Sequence, residues 1–124
     1  MEIEKNFSHL YDEDDDILNV YDSDKSPFEF VEISDFISLG LNKDGSFNSL
    51  EIADASNFFK SMNINMDKEF LKNLNIAKMK QNIFRGMFFL FLILFSKGGE
   101  KIEQSLPPLS RVEYKSPLLK AYEN

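Results

Sequence analysis

Tyr11-Asp12-Glu13-Asp14-Asp15-Asp16-Ile17-Leu18 and, about thirty residues further on, Leu50-Glu51-Ile52-Ala53-Asp54-Ala55-Ser56 are the stretches that decide how this chain is read. In the first, an acidic run separates two apolar-alternating segments. Asp and Glu disfavour strands, and Asp settles into turns by bonding its own backbone. Asp12–Asp16 therefore reads as the turn between a strand over Phe7–Tyr11 and a second over Ile17–Tyr21. In the second stretch, strand alternation gives way to helical spacing at Asp54.

Working outward, Asp22 to Pro27 has loop composition and Phe28–Ile33 reads as a short edge strand. Asp35–Asn42 alternates with Ile37, Leu39 and Leu41 in one register. Asn42-Lys43-Asp44-Gly45 is a hairpin turn, because Asp-Gly supplies the positive φ that tight hairpins need, and Phe47–Ile52 returns antiparallel. Helical segments follow near 54–62, capped by Asp54 or Ser56, and near 66–74, capped by Asp67. Ile76–Ile83 alternates again, Phe84-Arg85-Gly86 turns, and Met87–Phe95 is apolar on both faces and needs cover on both. Lys101–Leu106 pairs back. The expected fold is α+β: a small antiparallel β-meander, one or two short helices, and a C-terminal β-hairpin with an extended arm. Residues 1–62 hold the acidic meander and helix, 63–106 extend the same domain, and 107–124, with Pro107, Pro108 and Pro117, form the arm.

Residues 7 to about 62 resemble the small prokaryotic family called domain of unknown function 2283, whose members carry a YDxEADxLYI-like start and a GIEILDAS-like end. Tyr11, Asp12, Asp16 and Leu18 match the first pattern, with Asp14 and Asp15 standing for its Glu and Ala. Glu51, Ile52, Asp54, Ala55 and Ser56 match the second. Asn19 departs from a usual apolar or aromatic residue and Ser49 from a usual Gly. The resemblance implies a small antiparallel sheet closed by a helix, and an antitoxin role beside small ribonuclease-like toxins.

Charge is unevenly placed. Of 124 residues with net charge −7, residues 1–35 hold twelve acids against Lys5 and Lys25, and residues 36–124 carry a net +3. The acidic half repels nucleic acid and suits a basic protein partner, whose encounter it would speed. The chain has no cysteine, so disulfides, thiol nucleophiles and Cys-ligated metals are excluded. Met1–Asn6 lacks the basic-then-apolar pattern of a signal peptide. Met87–Phe95 is far short of the ~20 residues of a membrane helix, and a cytoplasmic location is expected.

Several constellations compete with plainer readings. Asp12–Asp16 offers hard oxygen ligands, but consecutive acids in one turn cannot all face one ion. Gly40–Glu51 mimics a calcium loop, yet Gly40 has no side chain to donate at the first position and both flanks have strand period. The lone histidine, His9, would need a carboxylate set against it for acid–base work. Neither a catalytic residue nor a metal or other cofactor is therefore expected. The expected partner-binding residues are Asp12, Glu13, Asp14, Asp15 and Asp16, together with Phe89 and Phe91. The function expected is a non-catalytic protein-interaction module, antitoxin-like toward a small basic ribonuclease-like protein, or self-associating as a homodimer. The alternative is a regulatory module binding nucleic acid through the basic aromatic second half, where Lys78, Lys80, Arg85, Lys97 and Lys101 lie among phenylalanines.

Overall fold

The computed structural model describes residues 2–62, 67–85, 87–106 and 109–110. Nine strands and two short helices alternate along them: β1 (Glu2–Asp12), β2 (Ile17–Tyr21), β3 (Glu29–Glu32), β4 (Ile37–Leu41), β5 (Phe47–Ile52), α1 (Ala55–Ser61), α2 (Lys68–Lys72), β6 (Leu74–Phe84), β7 (Met87–Ser96), β8 (Lys101–Ser105) and β9 (Leu109–Ser110). The strands make one antiparallel sheet in the order β3-β4-β5-β2-β1-β6-β7-β8, with β9 also on β7. The architecture is thus mostly antiparallel sheet with short helices.

Three expectations need correction. The sheet is larger than a small meander, and the C-terminal strands belong to it. The join is β1, which starts at Glu2 rather than Phe7: Ser8–Asp12 pair with β2, while Glu2–Phe7 pair with β6. The first six residues hide this because only Ile3 is apolar among Glu2–Asn6. Cross-strand charge contributes instead, with Lys78 Nζ 3.8 Å from Glu4 Oε1. The meander itself is β3-β4-β5, and β5 then inserts beside β2, so the order in space is not the order in sequence. α1 fills the expected 54–62 between its caps Asp54 and Met62, whereas α2 stops short of the expected 74, where β6 already begins. Of the arm expected over 107–124, only Leu109 and Ser110 are described, on Phe88 and Met87; the remainder lies outside the described residues.

Alternation explains the core. Leu18 and Val20 of β2, Leu39 and Leu41 of β4, Leu50 and Ile52 of β5, and Ala77 and Met79 of β6 are all buried in one cluster with Phe59 of α1 and Leu71 of α2. α2 begins as its sequence suggests, with Asp67 Oδ1 accepting from the Phe70 amide at 3.0 Å.

β7 is the instructive strand. Its apolar run divides by face: Leu90, Leu92 and Leu94 are buried against the core, whereas Phe89, Phe91 and Phe95 are half-buried on the opposite side. Lysines of the neighbouring strands cover that second face. Lys80 Nζ stands 5.2 Å from the Phe91 ring centre, and Phe95 has Lys78 and Lys101 each at 5.8 Å. The ammonium groups stand over the ring faces, attracted by their negative π clouds. Ile93, registered between Lys78 and Glu103, is left only 6% exposed. The strand thus has cover within its own chain. Accordingly, Leu92→Ala should cost about 2–5 kcal/mol through the cavity it leaves, and Phe91→Ala about 1–2 kcal/mol through partial burial and a lost cation–π contact. Urea unfolding of the two variants measures both; equal losses would contradict the division of faces.

Candidate functional site

The acidic turn is the first place to look, and most of it is occupied internally. Asp16 takes a left-handed backbone, φ 54°, a conformation Asp tolerates better than most residues. Its carboxylate accepts from the Tyr11 hydroxyl at 2.5 Å, from the Ser56 hydroxyl at 2.6 Å and from the Ser56 amide at 3.2 Å. Its carbonyl accepts from the Ala55 amide at 2.9 Å. These amides open α1, whose own N-cap, Asp54, makes no side-chain capping bond. Asp16 therefore caps the helix from a position forty residues earlier in the chain. Asp12 accepts from the Asp15 amide at 3.1 Å, and Glu13 reaches Lys72 at 3.5 Å. Of the five acids expected to bind a partner, only Asp14 and Asp15 present carboxylates with no partner among the described residues.

Phe89 and Phe91 are not brought together with that turn. Phe89 pairs in register with Asn82, which pairs with Glu2 at the start of β1, whereas the acidic turn follows Asp12 at its other end. Ten residues of strand lie between, on the order of 33 Å of chain. The Phe91 and Phe95 rings face the chain's own lysines.

A groove of about 540 Å³ lies on the outer face of β2–β5. One cross-strand row runs Tyr21, Ser49, Gly40, Phe30, and the next runs Leu10, Asn19, Glu51, Ser38. Small residues form the floor and large apolar ones the walls. Phe30 is 66% exposed, Leu10 59% and Tyr21 36%. Gly40 is required there: a Cβ would run into Ser49 Oγ and stand 3.2 Å from Pro27 Cβ and 3.4 Å from Phe30 Cε1. Phe30 thus packs over the glycine, and the floor stays low.

The remaining wall is the loop 22–27, and its shape is fixed by bonds. Buried Asn48 donates from Nδ2 to the Lys25 carbonyl at 2.9 Å and to Asn42 Oδ1 at 3.2 Å. The Asp22 amide donates to the Asn48 carbonyl at 2.9 Å. Asp22 also takes Lys5 Nζ at 2.7 Å and the Asp24 amide at 2.9 Å; the Lys5 ammonium holds its carboxyl below the usual carboxylate range. Asp24 and Glu51, both exposed on the groove, have no ion-pair partner among the described residues. The groove needs the β2–β5 pairing, in which Tyr21 lies opposite Ser49 nearly thirty residues on, and that pairing leaves no local signal in the sequence.

The plainer readings of the other constellations fit the geometry. In the calcium-like loop, Asn42 Nδ2 donates to Ser46 Oγ and the Phe47 carbonyl, and Asp44 accepts from the Ser46 amide and hydroxyl, all hairpin bonds. His9 Nε2 donates to the Asn75 carbonyl at 3.2 Å. Among the described residues, no three His, Asp or Glu side chains gather where they could hold a metal ion. No helix among them is long and apolar enough to cross a membrane. Comparison with known proteins returned no matching family model, no matching curated protein and no matching solved structure.

The Asp16 cluster makes stability depend on pH at both ends. Burial pushes the Asp16 carboxyl upward, but the Ser56 and Tyr11 hydroxyls and the Ser56 amide more than offset it, leaving it below its ordinary 3.8. Burial, and then the bond to Asp16, push the Tyr11 phenol well above its ordinary 10.0. A depressed carboxyl contributes stability that is present above pH 3.8 and lost as pH falls through the folded-state value; a raised phenol contributes stability present below pH 10.0 and lost as pH climbs toward its folded-state value. Tyr11→Phe should therefore flatten the alkaline fall in unfolding free energy and shift the acid limb upward in pH. Denaturant titrations across the pH range check this, and an unchanged alkaline slope would count against it.

Proposed function

We propose that this chain is a non-catalytic protein-interaction module whose partner is basic and meets the outer face of the acidic N-terminal sheet. The observation that carries the reading is the groove, where exposed Leu10, Tyr21 and Phe30 stand in a net acidic rim of Asp22, Asp24, Lys25 and Glu51. Exposed aromatics in a preorganised concavity supply the anchors of protein interfaces, and the surrounding charge selects the sign of the partner. Asp14 and Asp15 extend the same sign of field at the far end of the β1–β2 ladder. A small basic ribonuclease-like protein is the kind of partner that fits, and the resemblance of the two end motifs to the domain-of-unknown-function 2283 family supports that antitoxin-like version. A cysteine-free chain is suited to work in a reducing cytoplasm.

Co-purification of the tagged protein from its native cells, with mass spectrometry of what is eluted by a salt step, tests this. The expected result is one stoichiometric protein of high isoelectric point, released by salt and absent with the Asp24→Lys/Glu51→Lys variant. An acidic partner, or retention unchanged by that charge reversal, would contradict the reading.

A further inference from the structure

The groove has a more specific shape than an acidic apolar face. In the row Tyr21, Ser49, Gly40, Phe30, the Cε1 edge of the Phe30 ring lies with Pro27 Cβ over Gly40, so Ser49 stands in the row between the exposed rings of Tyr21 and Phe30. Tyr21 and Gly40 are separated by two strand spacings, about 10 Å. That leaves a slot on the scale of one planar group between two rings. Glu51 is next but one to Ser49 on the same strand face and so sits at one end of the slot. Ser38, its cross-strand partner, adds a hydroxyl. Asp24 stands in the loop at the other end, and both carboxylates lack an ion-pair partner among the described residues.

We infer that this slot seats an arginine side chain of a partner polypeptide, stacked between Tyr21 and Phe30 with its guanidinium bonded to Glu51. The inference rests on the proposed reading that the partner is a basic protein, and adds which side chain is recognised and where. Three features select arginine over lysine. A guanidinium is flat, so it can stack on two ring faces, whereas an ammonium is a compact, strongly hydrated point charge. Its five N–H donors match a two-oxygen acceptor such as Glu51 with hydroxyls nearby. The small side chains of Ser38 and Ser49 leave room for a flat group at depth, and the loop wall is already held by Asn48, so little ordering is left to occur on binding.

The test is a titration of the full-length ¹⁵N-labelled protein with two capped glycine-spaced peptides, one carrying three arginines and one three lysines, followed by NMR chemical shifts. The arginine peptide should bind at least five-fold more tightly, with saturable shifts at Asn19, Tyr21, Ser38, Ser49 and Glu51. Glu51→Gln and Tyr21→Ala should each weaken it about ten-fold or more while leaving the weak lysine binding nearly unchanged. Should Tyr21→Ala fail to fold, Tyr21→Leu keeps the apolar bulk without the ring face and should show the same loss. Asp14→Asn/Asp15→Asn, which removes two charges away from the groove, should reduce both peptides equally and modestly. If arginine and lysine peptides bind alike, and Asp14→Asn/Asp15→Asn weakens them as much as Glu51→Gln does, the slot is overturned while the basic-partner reading stands. If neither peptide shifts any groove resonance and the co-purified partner is not basic, both fall.

Discussion

A single carboxylate, that of Asp16, joins the first β-ladder to the first helix. It is reached from three directions: by the Tyr11 hydroxyl across the turn and by the hydroxyl and amide of Ser56 at the start of α1. Hydrogen bonds to an ionised acceptor are the stronger kind, and these sit half-buried, where their loss would leave donors without partners. A left-handed backbone at both Asp16 and Asp54 lets the two chain segments meet. Because β2 lies between β1 and β5, fixing Asp16 against Ser56 also fixes where β5 ends relative to β2. The outer-face rows that build the groove depend on that register, since a one-residue slip of β5 against β2 would turn Ser49 and Glu51 inward.

The same arrangement separates two tasks within the acidic segment. The carboxylates nearest the clasp stabilise the fold, and those farther out, on loop 22–27 and on Glu51, leave a negative field around exposed aromatic rings. The opposite end of the sheet manages its apolar excess differently. There Phe91 and Phe95 of β7 are half-covered by Lys78, Lys80 and Lys101, so basic residues of the neighbouring strands shield them. The two ends of the sheet therefore differ in how available their rings are, and this difference favours the N-terminal groove as the surface proposed to meet a partner.

Much of this was legible from the residues. Period-2 alternation located β2, β4 and β5, Asp-Gly marked the hairpin at Asp44-Gly45, and Asp67 was read as the cap it proves to be. The acidic run was recognised as a turn, but as a set of equivalent ligands for a partner. Its internal division was invisible because the partner of Asp16 is Ser56, forty residues away. The N-terminal half of β1 was missed because Glu2, Glu4 and Asn6 give the segment no apolar alternation, and Glu4 meets Lys78 through charge. The groove was missed for a related reason: Gly40 and Ser49 are informative only when the β4–β5 register sets them side by side beneath Phe30.

The account depends most directly on Asp16 and Ser56 acting as one unit, and a double-mutant cycle measures that. Unfolding free energies of wild type, Asp16→Ala, Ser56→Ala and the double variant, all at neutral pH, isolate the pairwise coupling. The predicted result is a coupling of about 1–3 kcal/mol, with the double variant little worse than Asp16→Ala alone. Strictly additive losses, with coupling near zero, would show that the Asp16 carboxylate and the Ser56 hydroxyl do not act as one unit and would contradict the account.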